Sequence, residues 1–198
     1  MLKDCFLAIL LIGISTSDGA MAGSKCRLSA SEKMQNARLT FDDFDQKGTT
    51  STTWRQLDSR GCHAVAAEAA EDYLINGPVL TASHKEDVLF HEAQSLALAD
   101  KNSQAAQLVA AAIPADRVNH GDLDWTTYLV GTWAFLVNDK VLLDASANKM
   151  SVESGPENAI DAAVLRGLAR CFNRPYRIAY GSCRPKQVNP TKSSPTHR

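Results

Sequence analysis

From residue 51 to residue 183 the apolar positions fall three and four apart, in runs broken by short polar stretches, as helices with one buried face do. Thr53 or Ser51 offers an N-cap for a helix carrying Trp54 and Leu57; Gly61 ends it, and Cys62 to Leu74 restarts with Ala66, Ala70 and Tyr73 on one stripe. A second unit runs from about Lys85 to Ala112. Val88, Leu89, Glu92 and Leu96 lie on its first helix, Ala105, Leu108, Val109 and Ala112 on its second, and Pro114 closes it. Asp124 caps a third run in which Trp125, Tyr128, Leu129, Thr132, Phe135 and Leu136 keep helical spacing up to a turn at Asp139. In the fourth, Pro156 and Glu157 suit a first turn, and Ile160, Ala163, Val164, Gly167, Leu168 and Cys171 form an apolar face. Pro175 opens its partner, with Tyr176, Ala179, Tyr180 and Cys183 aligned.

The runs share a register. Trp54 and Ala66, Ala93 and Ala105, Gly131 and Leu143, and Gly167 and Ala179 are each about twelve residues apart, and successive pairs start roughly 36 to 39 residues apart. A polar break falls inside every pair: Arg60-Gly61, Lys101-Asn102, Asn138-Asp139 and Asn173-Arg174-Pro175. Recurrence on this scale marks stacked supersecondary units, each unable to bury its apolar side alone. The unit reads as a helix-turn-helix, and the expected fold is all-α, an array of about four antiparallel helical hairpins over residues 51–183. Residues 23–50 form an irregular N-terminal strap, in which Leu39, Phe41 and Phe44 interrupt the acids Asp42, Asp43 and Asp45, and whose two phenylalanines should lie on the first hairpin.

Small or bulky at one position and small about twelve later, with Gly, Asp or Asn at the turn, resembles a degenerate tetratricopeptide repeat. Gly131, Asp139 and Leu143, and Trp54, Leu57, Gly61, Ala66, Ala70 and Tyr73, carry the resemblance, which covers roughly residues 50–183. It implies an α-solenoid that binds proteins and has no chemistry of its own. It also implies a groove lined by first-helix residues flanking the packing positions: Arg55, Asp58, Asp87, Gln94, Trp125, Tyr128 and Thr132. Aromatic and Arg side chains are the usual anchors of such surfaces, which favours Trp125, Tyr128 and Arg55. The strap, Trp54, Gly61-Cys62 and then Asp124-Trp125, Tyr128 and Phe135-Leu136 are similar to secreted bacterial proteins without an assigned activity, which implies no mechanism.

Composition and the chain ends narrow the setting. Residues 1–22 read as a secretory signal, with Lys3, an apolar run from Cys5 to Ile14 too short to span a bilayer, and Ala20-Met21-Ala22 as the cleavage site. The chain has 21 Lys and Arg against 22 Asp and Glu, so no basic excess points to nucleic acid. Residues 184–198 hold Arg184, Lys186, Lys192 and Arg198 among prolines and no acid, and are expected to be a disordered basic tail. The expected product is exported, periplasmic or secreted, with a protein or peptide partner and no membrane insertion after cleavage.

Cys26, Cys62, Cys171 and Cys183 remain after processing, an even number that favours two disulfides in an exported chain. In a stacked array the end units are too far apart to bridge, which leaves Cys26 with Cys62 and Cys171 with Cys183. In a regular hairpin turning near Arg174, however, the second pair would be roughly 10 Å out of level, beyond a disulfide's reach. Either the last helix ends early and the chain folds back, or these two thiols stay free.

Known chemical signatures are missing. His84, Asp87 and His91 share a helical face, but the zinc-protease pattern fails after His91-Glu92, and capping or solvated histidines are expected. Residues 119–124 gather polar groups, yet lack the donors of a calcium loop and read as a turn into the Asp124 cap. There is no nucleophile elbow, phosphate-cradling loop or closely spaced cysteine ligand pair, so no cofactor or metal is expected. Two other readings remain: a small periplasmic inhibitor or immunity-type protein acting through the loop 115–124, and a hydrolase whose carboxylates meet only in space.

Overall fold

Helices account for every regular element in the computed structural model, which describes residues 26–114 and 123–185. The expected signal segment, most of the loop 115–124 and nearly all of the basic tail lie outside the described residues. The strap holds α1 (Ala30–Asn36) and a π-helical turn (Asp42–Gln46). Four helix pairs follow: α2 (Trp54–Ser59) with α3 (His63–Asn76), α4 (Ala82–Leu98) with α5 (Asn102–Ala112), α6 (Trp125–Leu136) with α7 (Lys140–Val152), and α8 (Pro156–Arg170) with α9 (Tyr176–Gly181). From α2 onward each helix packs on the next along the chain. The all-α expectation holds.

Local chemistry sets the helix ends. Ser29 and Glu32 form a reciprocal capping box on α1. Thr81, Asp124 and Asp139 each accept a backbone N–H from the first turn of α4, α6 and α7. The hairpin turns repeat one device. Gly61, Asp100 and Asn138 take positive φ of 77°, 61° and 60°. The following N–H then reaches back to a carbonyl five residues earlier, from Cys62 to Leu57 (2.9 Å), Lys101 to Leu96 (2.9 Å) and Asp139 to Ala134 (2.8 Å). This is the Schellman closure, and it recurs with the spacing of the sequence repeat. At the fourth turn the corresponding donor position is Pro175, which has no N–H; α9 instead begins on the proline's fixed backbone.

The residues of the twelve-apart pairs are packing positions: all eight are buried. A Cβ at Gly167 would lie 3.0 Å from the carbonyl oxygen of Ala179, its partner in the repeat, and 3.0 Å from Arg184 backbone. At Gly131 it would meet Leu165 of α8 at 2.8 Å. Small residues here let helix backbones approach more closely than a side chain permits.

Two apolar clusters form, and α4 serves both. One joins the strap and first hairpin (Phe44, Trp54, Leu57, Tyr73) to Val88; the other runs from Phe90, Ala93 and Ala97 through Leu129 and Phe135 to Leu165, Leu168 and Tyr176. The phenylalanines of the strap part company. Phe44 stacks on Tyr73 of the first hairpin (3.9 Å), whereas Phe41 stacks on His84 of the second (3.8 Å). Disulfides link Cys26 with Cys62 and Cys171 with Cys183. The second is possible because α9 is only six residues long and the chain folds back after it, bringing the Cα atoms to 6.2 Å. The array does not run purely in series: α9 also packs on α4, and Arg177 pairs with Asp100 at the α4–α5 turn.

Candidate functional site

A cleft of about 550 Å3 lies where the strap, α2, α4, α6 and α8 converge. The strap contributes Phe41 and Gln46, α2 Arg55, α4 His84, Asp87 and His91, and α8 Glu157, Ile160 and Asp161; Leu123 and Trp125 close the side at the start of α6.

Its floor is organised by one carboxylate. Asp45, with 0 % exposure, accepts from Trp54 Nε1 at 2.9 Å and from His91 Nδ1 at 2.8 Å, while its second oxygen accepts from Gln46 Nε2 at 2.8 Å. Trp54 lies flat against His91 at 4.2 Å, the Arg55 guanidinium sits 4.4 Å over Trp54, and Arg55 Nε donates to the Asp45 carbonyl. A buried carboxylate needs such donors to offset its lost hydration. The result fixes a histidine, a tryptophan and an arginine around one strap residue. His91 is therefore neither a cap nor solvated, contrary to expectation, and His84 is held by its stack on Phe41.

The opposite wall is α8. Burial pushes the Asp161 carboxyl up to about 7; Glu157, one turn away, adds to the rise and Arg184 opposes it. Ile160, expected on the packed face of α8, is 44 % exposed at the cleft. Trp125 is largely buried, edge-on to Phe90 at 5.0 Å and beside Tyr128 at 5.5 Å, so one margin of it faces the cleft.

Of the seven residues implied as a groove, Arg55, Asp87 and Trp125 meet here. Asp58 sits at the other end of α2, bonded to His63 Nδ1 at 2.6 Å. Gln94, Tyr128 and Thr132 are interior, at 9, 4 and 1 % exposure. Burial, with neighbouring Tyr176 and Tyr180, drives the Tyr128 hydroxyl well above its usual range. Asp124 performs the capping role expected of it, accepting from Thr127 N at 3.1 Å and pairing with Lys149 Nζ at 2.6 Å.

Sequence reasoning missed Asp45, Phe41, Ile160 and Asp161. The shared face of His84, Asp87 and His91 was the available signal, since it is the α4 edge of the cleft. Among the described residues no group of three or more His, Cys, Asp or Glu side chains could hold a metal ion, and no helix is long and apolar enough to cross a membrane. No protein-family model, no curated protein and no solved structure matches this chain.

Proposed function

We propose that this is an exported helical-repeat protein of the cell envelope that binds a protein or peptide partner through the cleft between the strap, α4 and α8. The convergence of Arg55, Asp87 and Trp125 with Phe41, His84 and Ile160 in one open concavity carries the reading. Stacked aromatic rings and an arginine already pinned in place lose little conformational freedom on binding, which is what recognition anchors require. A volume near 550 Å3 takes a few side chains of a peptide segment or a projecting loop rather than a whole domain. Two disulfides suit an oxidising compartment, in agreement with export. The turn device that recurs with the repeat supports a tetratricopeptide-like architecture, whose known use is peptide binding.

The test is selection of peptides from a random library on the oxidised chain, followed by affinity measurement with Ile160→Arg and His84→Ala. Enriched peptides that bind at least about tenfold more weakly to both variants support the cleft. Failure to enrich any sequence, or binding indifferent to both substitutions, overturns it.

A further inference from the structure

A second cleft, of about 530 Å3, opens between α3, α4 and α5, and shares no lining residue with the first. Val65, Leu96 and Leu108 give it apolar walls; Glu68 and Glu71 come from α3 and Glu92 from α4. An acidic cluster alone would say little, but Glu92 is unusual. It is only 8 % exposed, and among the described residues no hydrogen bond or ion pair supports its carboxyl. Its oxygens are nonetheless not sealed in the interior; they open on the cleft.

A carboxyl withdrawn from water without a partner is costly, so an incoming cation has much to gain there. The charged neighbours are few. Glu68 is taken by Lys33, Lys101 stands exposed at the rim without pairing with Glu92, and α5 presents the amides of Gln104 and Gln107. Although α2 and α9 also pack on α4, neither places a charged residue in this cleft. The donor set does not form a metal cluster. Carboxylates above apolar walls suit a different guest, a cationic head on a methylene stem.

We propose that this cleft binds an organic cation of the arginine or lysine side-chain type, its guanidinium or ammonium between Glu92 and Glu71 and its stem against Val65, Leu96 and Leu108. The site does not depend on the peptide cleft described above. Burial and the Glu71 charge push Glu92 up to about 7, so the cation meets a carboxylate only as pH rises past neutrality, and binding strengthens in that direction.

The experiment is an amide NMR titration of the full chain with N-acetyl-arginine amide at pH 8, beside its neutral isostere N-acetyl-citrulline amide. Agmatine, a free guanidinium amine, is run in parallel. The arginine probe should shift amides of α3, α4 and α5, with affinity falling at least about tenfold at pH 5.5 and in Glu92→Gln, but not in Glu153→Gln, an exposed carboxylate elsewhere. Agmatine binding without the capped probe would identify a free amine as the source and still support the site. Equal shifts from citrulline, no shift from either cation, or unaltered affinity in Glu92→Gln would overturn it. Should that variant fold poorly, titration of the wild-type Glu92 carboxyl by NMR decides the matter equally well: its apparent pKa must fall under saturating probe, and an unmoved pKa would overturn the site.

Discussion

Replacing Asp45 by alanine tests whether one buried carboxylate organises the strap and the cleft. The side chain has 0 % exposure and accepts three hydrogen bonds, from Trp54, His91 and Gln46. Truncation strands the indole N–H of Trp54, which is 4 % exposed, and the His91 N–H, which is also largely buried. Each stranded donor costs about 1–3 kcal/mol. The total should reach about 3–5 kcal/mol, comparable with breaking a buried ion pair from one side. Against a typical stability of about 5–15 kcal/mol that is a large fraction. With a urea slope near 2 kcal/mol/M, a loss of about 4 kcal/mol lowers the midpoint by about 2 M. Asp45→Asn keeps the size and one acceptor and should lose about half as much. Urea unfolding followed in parallel by tryptophan fluorescence and far-UV circular dichroism measures both. A midpoint for Asp45→Ala within about 0.5 M of the wild type would refute the reasoning.

Gly131→Ala should cost about 1–3 kcal/mol, because its Cβ would fall 2.8 Å from Leu165; combining it with Leu165→Ala should cost less than the sum of the two single losses, and strict additivity in thermal melts would exclude the contact. Asp161→Asn addresses the carboxyl raised to about 7. The native state keeps that proton while the unfolded chain releases it near pH 4, so wild-type stability falls as pH climbs from about 4 to 7. The variant should match the wild type at pH 4 and exceed it by about 1–2 kcal/mol at pH 8, allowing for partial exposure; equal melting temperatures at both pH values would contradict this. Cys171→Ser with Cys183→Ser opens a loop of sequence separation 12 and should remove about 3 kcal/mol, and a reductant that left the wild-type melt unchanged would deny that the bond forms.

The helices are legible in the sequence because their signals are local. The cap at Asp124, Pro156 in a first turn, and the turns at Gly61 and at Asn138-Asp139 each depend on a few neighbouring residues. The repeat pairs are legible too: all eight of their residues are buried, and Gly167 meets Ala179 across the fourth turn. Meetings between distant segments are not. In the sequence Asp45 is one acid in a run; its burial depends on Trp54 and on His91, 46 residues further on. Gln94, Tyr128 and Thr132 sit on the anticipated helices but lie in the interior, Tyr128 beneath Tyr176, Tyr180 and Arg184 of the α9 segment. Ile160 fits an apolar stripe by spacing, yet it lines the open cleft and stays 44 % exposed. The Cys171–Cys183 bond turns on a helix length that no cap signal reveals.

The shortness of α9 has a consequence for what can pack beside it. In an open-ended stack, another hairpin can be appended wherever the last one leaves an apolar flank bare. Here α9 turns inward onto α4, is tied at its far end to the close of α8 by a disulfide, and lays Arg177 against Asp100. The flank of α8 is thus spent within the molecule, and another hairpin could pack there only after α9 was displaced.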